Sequence, residues 1–105
     1  MSKKPVTPPA RKVAVLGAGS WGTTFAKILA DGGNDVMLWA RRDDLADDIN
    51  ETHRNSDYLR GIRLPMNLVA TSSMAAAVKN AEQVYLCVPS QTLRENLVQL
   101  APLLR

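Results

Sequence analysis

Apolar and polar positions along the chain fall into two alternating patterns. Short apolar runs of strand length recur at Val13-Ala14-Val15-Leu16, Val36-Met37-Leu38-Trp39, around Leu68-Val69-Ala70, and at Val84-Tyr85-Leu86-Cys87-Val88. The first of these is apolar at every position, which suits a strand buried on both faces. Between the runs, apolar residues recur three or four places apart, the spacing of one face of a helix. The pattern predicts strands over 12–16, 35–40, 68–71 and 83–88. It predicts a first helix over 20–30, with Trp21, Phe25, Ile28 and Leu29 on its inner face and Gly32-Gly33-Asn34 ending it. A second helix starts at a cap on Asp43 or Asp44 and reaches about His53, with Leu45 and Ile49 turned inward. Ser72 caps a short third helix ending near Lys79, and Pro89-Ser90 opens a last one with Leu93, Leu97 and Leu100 on one face, ending near Pro102.

Strand and helix thus alternate four times, which implies an α/β fold with right-handed crossovers and helices on both faces of a parallel sheet. The expected architecture is a Rossmann-type doubly wound parallel sheet of strand order 3-2-1-4, with a ligand crevice where strands one and four diverge. Residues 1–10 carry Pro5, Pro8 and Pro9 without apolar period and are expected to be a flexible tail. Residues 11–105 are expected to form one domain of this type, incomplete at its carboxyl-terminal end, and the glycine turn described next makes it a dinucleotide-binding one. The stretch 54–67, polar and interrupted by Gly61 and Pro65, reads as a long loop of the functional or mobile kind.

The turn after the first strand carries the chemistry. Gly17-Ala18-Gly19-Ser20-Trp21-Gly22 places glycines at the first, third and sixth positions, between an apolar strand and a helix. That is the context in which the spacing binds a dinucleotide. Gly17 permits the tight turn, Gly19 a close approach of backbone to pyrophosphate, and Gly22 tight packing of helix on strand. The phosphates would meet unpaired N–H groups at the positive end of the helix dipole. A plain strand-to-helix turn would need one glycine. Ser20 offers a backbone N–H and a hydroxyl there, and is also the expected N-cap; Trp21 is expected to fill core with one edge exposed.

The end of strand two discriminates between nicotinamide cofactors. An acidic residue there would hydrogen-bond the adenosine ribose of NAD, whereas a basic one accommodates the 2′-phosphate of NADP. The sequence reads Ala40-Arg41-Arg42 before the first acid, Asp43. An arginine fork matches a phosphate in two-point geometry, so NADP(H) is favoured, with NAD(H) also accommodated. Arg41, first after the strand, should matter more than Arg42. The only histidine, His53, reads as a solvated helix end, and Cys87 as a small core residue. No metal-ligand spacing and no nucleophile–base pair stands out, so no catalytic residue is assigned.

Composition adds exclusions. A formal net charge of +3 raises the question of nucleic acid, but the cations are dispersed and interrupted by acids, and aromatics are few, so a nucleic-acid role is not expected. No apolar run is long enough to span a bilayer, and the basic start is followed by prolines where a secretion signal would have its apolar core. A single cysteine fits a reducing, cytoplasmic location.

The glycine stretch with its tryptophan, together with Leu38-Trp39-Ala40-Arg41, resembles the bacterial NAD(P)-dependent glycerol-3-phosphate dehydrogenases. Asn55-Ser56-Asp57-Tyr58-Leu59, Gly61-Ile62-Arg63-Leu64-Pro65-Met66-Asn67, and Val88-Pro89-Ser90-Gln91 with Arg94 resemble further segments of that family. Arg60 departs from it, standing where relatives commonly have proline. The resemblance implies reduction of dihydroxyacetone phosphate to sn-glycerol 3-phosphate, feeding phospholipid synthesis. It assigns cofactor binding to Ser20, Trp21 and Arg41, less strongly to Arg42, and puts Pro89 near the nicotinamide. Family members continue into a further strand and a helical domain that supply the catalytic lysine and the substrate-phosphate contacts. The 105 residues are therefore expected to be the amino-terminal part of such an enzyme, inactive alone and prone to self-association through the edge of strand four. Alternatives are the cofactor half of another reductase, such as a ketopantoate reductase, and a free-standing nucleotide-binding or redox-sensing module.

Overall fold

The computed structural model describes residues 11–104. They form β1 (Lys12–Leu16), α1 (Ser20–Asp31), β2 (Asp35–Trp39), α2 (Asp43–Thr52), β3 (Leu68–Thr71), α3 (Met74–Val78), β4 (Gln83–Leu86) and α4 (Ser90–Leu100), then a 3-10 turn over Ala101–Leu103. The tail expected over residues 1–10 lies outside the described residues. All three strand pairings are parallel and the order is β3-β2-β1-β4, as the alternation implied. In register, Val13 of β1 faces Val36 of β2 on one side and Gln83 of β4 on the other.

The pleat of β1 divides the interior into two cores. Val13 and Val15 point toward α1 and α2, where they join Ala26, Ala30, Leu45 and Ile49. Ala14 and Leu16 point to the opposite face and pack with Trp39, Met74, Ala77 and Leu100. A central parallel strand must be apolar on both faces, which is why β1 lacks the period-two alternation of a half-exposed strand.

Helix packing departs from the expected faces in two places. Along α1, the buried positions are Gly22, Thr23, Ala26 and Ala30, whereas Trp21 and Ile28 are 71% and 60% exposed. Small residues let the helix lie close on the sheet; the larger apolar side chains flank that seam or turn outward. Trp21 is thus not a core residue. In α4 only Leu100 is buried, and Leu93 and Leu97 are exposed, so this helix offers an uncovered apolar face beside the edge strand β4.

Several boundaries shift as well. β2 ends at Trp39 and β4 at Leu86, so Ala40, Cys87 and Val88 belong to the turns that follow. Gly19, not Ser20, is the N-cap of α1, Arg42 stands before α2 with Asp43 and Asp44 in its first turn, and Ser73 rather than Ser72 caps α3 through its hydroxyl and the Ala76 N–H, at 3.1 Å. Ser72 instead bonds the Asp43 carboxylate. His53 does close α2, in the left-handed conformation at φ 55°. Its ring is half-buried, and Nδ1 is without a partner among the described residues. No helix among the described residues is long and apolar enough to cross a membrane.

Candidate functional site

The carboxyl ends of β1, β2 and β4 open into one cleft of about 550 Å³. Its floor follows from backbone geometry. Gly17, at φ +121°, turns the chain sharply off β1, in a conformation side-chain-bearing residues rarely adopt. The Gly17 N–H reaches across to the carbonyl of Trp39 (3.1 Å), and the Cys87 N–H to that of Leu16 (2.8 Å), so the three strand ends are stitched together. A Cβ on Gly17 would collide with the backbone of Cys87 in the neighbouring turn. One on Gly19 would meet no protein atom within 4 Å, so its missing side chain leaves open the backbone facing the cleft.

All eight residues singled out from the sequence line this cleft. Gly17, Gly19, Ser20, Trp21 and Gly22 come from the first turn and the start of α1. Arg41 and Arg42 come from the end of β2, and Pro89 from the turn after β4. The start of α1 faces the space, and no acidic residue lies in its first turn to occupy the helix's positive pole. Among the cleft-lining residues the titratable side chains are Arg41, Arg42, Tyr58 and Cys87. The described lining contains no carboxylate, and its two arginines are the cationic side chains.

The two arginines differ in their surroundings. The Arg42 guanidinium donates to the Asp57 carboxylate and lies 3.5 Å from Asp44. The hydrogen bond to Asp57, reinforced by the charge of Asp44, raises its pKa above the ordinary arginine value. Arg41 is exposed and has no ion-pair partner among the described residues. Cys87, half-buried in the cleft wall, has its thiol pKa raised by burial.

The loop 54–67 is more ordered than its composition suggested. A bridge pairs Asn55 with Leu59, and Asn55 itself is fully buried. Its Nδ2 donates to the Ala18 carbonyl at 2.9 Å and to Thr23 Oγ1 at 2.8 Å, while its Oδ1 accepts from the Tyr58 N–H at 3.1 Å. Sequence reasoning did not single out Asn55, since a polar residue in a polar loop gives no sign that it is buried. Tyr58, Thr92 and Asn96 also line the cleft and were not assigned. Their approach depends on loop and helix placement rather than on a local motif.

Residues 12–105 match the family described as NAD-dependent glycerol-3-phosphate dehydrogenase N-terminus. A glycerol-3-phosphate dehydrogenase (NAD(P)+) of Leifsonia xyli is 63% identical over 90 residues, covering 86% of this chain and 24% of that protein. One from Corynebacterium urealyticum is 64% identical over 86 residues, or 82% of this chain and 26% of that protein. Among solved structures, glycerol-3-phosphate dehydrogenase of Coxiella burnetii superposes with a TM-score of 0.87 at 33% identity, over 93% of this chain and 30% of that one. The Saccharomyces cerevisiae enzyme does so at 0.80 and 35% identity, over 87% of this chain and 30% of that one. The chain spans about a quarter of the length of the curated relatives it matches.

Proposed function

Because the chain belongs to the NAD-dependent glycerol-3-phosphate dehydrogenase family, matching its amino-terminal part, we propose that it binds a nicotinamide dinucleotide in this cleft. The observation that carries the proposal is the cradle itself. Gly17 and Gly22 have backbone where a side chain would be, and Gly19 has nothing. That combination leaves a cavity at a helix N-terminus with the backbone bared to it, as a pyrophosphate requires. The Ser20 N–H lies in the same turn, Trp21 supplies an exposed indole at the rim, and Pro89 lines the cleft from the turn after β4.

The preference between cofactors rests on Arg41 and Arg42. NADP(H) is the favoured ligand, its 2′-phosphate paired with Arg41, whose guanidinium has no carboxylate to leave. Arg42 is the secondary contact, since it must first give up Asp57. In the whole enzyme the cofactor supplies a hydride, and the reaction served is reduction of dihydroxyacetone phosphate to sn-glycerol 3-phosphate, the precursor of phospholipids. Within these 105 residues the role is holding and orienting the dinucleotide. Among the described residues the cleft wall has no lysine or carboxylate to grip substrate or move a proton, so substrate turnover by this chain alone is not expected. We also propose that it self-associates, since β4 is an unpaired sheet edge beside exposed Leu93, Leu97 and Val98. Sedimentation showing a monomer throughout the micromolar range would refute that part.

Calorimetric titration with NADPH and with NADH, beside the Arg41→Ala variant, tests the cofactor assignment. Saturable binding by both is expected, tighter for NADPH, with the difference lost in the variant. A folded chain that takes up neither would overturn the proposal.

A further inference from the structure

Among the described residues Asn55 is the most deeply buried polar side chain outside the sheet and its flanking helices, at 0% exposure, and two of its three side-chain hydrogen bonds run to the cleft-lining residues Ala18 and Tyr58. One Nδ2 bond reaches the Ala18 carbonyl, in the middle of the glycine turn. No peptide bond described here is cis. Across a planar trans peptide the C=O and the following N–H point in opposite directions. Drawing the Ala18 carbonyl inward to Asn55 therefore turns the Gly19 N–H the other way, away from the loop and toward the open side of the turn. That side is the cleft. The second Nδ2 bond, to Thr23 Oγ1 at 2.8 Å, ties α1 to the loop. Asn55 Oδ1 is occupied by the Tyr58 N–H, which fixes the amide's orientation: only its nitrogen can face the turn.

We infer that Asn55 is a positioning residue for phosphate recognition, orienting the Ala18–Gly19 peptide so that the Gly19 N–H is presented to a bound pyrophosphate. The inference rests on the cofactor-binding reading above. It gives the loop 54–67 a task in the site although Asn55 never touches the ligand. It also explains why a carboxamide stands there. The position requires two donors on one atom and an acceptor on the other, which neither a carboxylate nor a hydroxyl supplies.

Thr23 provides the control that separates positioning from mere stability. Thr23→Val deletes one bond of the same amide inside the same core, leaving the Ala18 carbonyl bond in place. Binding of ADP and of adenosine would be measured for the native chain, Asn55→Ala, Asn55→Ser and Thr23→Val, with folding followed by circular dichroism. The Gly19 amide would be followed by nitrogen–proton correlation spectra. Asn55 variants that remain folded should bind ADP about tenfold more weakly, the loss of one charge-assisted hydrogen bond, with adenosine affinity unchanged. Thr23→Val should lose stability but keep ADP affinity. In the native chain the Gly19 amide proton should move strongly downfield on ADP addition, and this should vanish in the Asn55 variants. Equal ADP binding by folded Asn55 variants, or a parallel loss in Thr23→Val at matched stability, would overturn the inference while leaving the cofactor reading intact. Should both Asn55 variants unfold, the native spectrum decides, since a Gly19 amide unmoved by bound ADP excludes the role. A native chain that binds neither NADPH nor NADH overturns the cofactor reading, and this inference with it.

Discussion

The carbonyl oxygen of Gly17 occupies the place where a side chain on Gly22 would begin, so the last glycine of the motif is required by the first. Gly22→Ala must push α1 off the turn or distort the Gly17 peptide. Overpacking of this kind costs about 1–3 kcal/mol, and more where the obstacle is backbone. Urea unfolding should show that loss, together with loss of dinucleotide binding.

Gly19→Ala should behave in the opposite way. A Cβ there meets no protein atom, and the Gly19 φ of −71° suits any residue. Stability should change by less than about 1 kcal/mol, in the range of exchanges at an N-cap. NADH and NADPH affinity should nonetheless fall by roughly tenfold or more, because the methyl stands where the backbone would meet the phosphate. Unfolding and titration of the same preparation check both halves, and unchanged affinity would remove Gly19 from the site.

Asp57→Asn frees Arg42 from its main partner. The pair is solvent-exposed, so folding stability should hardly change. NADPH affinity should rise a few-fold and NADH affinity stay level, since only the former brings a 2′-phosphate, and the gain should shrink with added salt. A rise for both cofactors alike would place Arg42 elsewhere than at the 2′-phosphate.

Cys87 should react slowly with thiol reagents near neutral pH, since burial raises its pKa. Because the folded value lies above the unfolded one, the thiol favours the folded state below the unfolded pKa, and that contribution declines as pH rises through the folded value. Labelling kinetics should accelerate only in alkaline solution and slow further with bound dinucleotide, as Cys87 lines the cleft. Labelling unaffected by saturating NADPH would put the ligand away from the turn after β4.

At the other end of the sheet, Asn50 covers an edge. Its Nδ2 donates to the Ala70 carbonyl at 2.8 Å and its Oδ1 accepts from the Ala70 N–H at 2.7 Å, so its carboxamide pairs with β3 as a neighbouring strand would. Asn50→Ala should cost about 1–2 kcal/mol from two lost hydrogen bonds and leave β3 open to pairing with other chains. Thermal melts and light scattering would register both effects; a variant as stable and as soluble as the native chain would refute it.

Most of this architecture was readable along the chain because it is local. Four short apolar runs separated by helical spacing admit few arrangements once crossovers must be right-handed, and β1 and β3 begin and end where the pattern placed them. The glycine spacing marked the turn for the same reason, since a positive φ at Gly17 is a property of one residue and its neighbours. Which face a helix buries is another matter. Trp21 and Ile28 have the right spacing for the core of α1, yet the sheet accepts the small side of that helix, a choice set by how closely two surfaces can approach. Asn55 and Asp57 gain their partners 37 and 15 residues away through the course of a loop that no periodicity describes. The sequence by itself determined the strands, the turn and the charge at the end of β2. Only the tertiary structure decided what stands against them, because burial and hydrogen bonding between distant segments exist only once the chain has closed on itself.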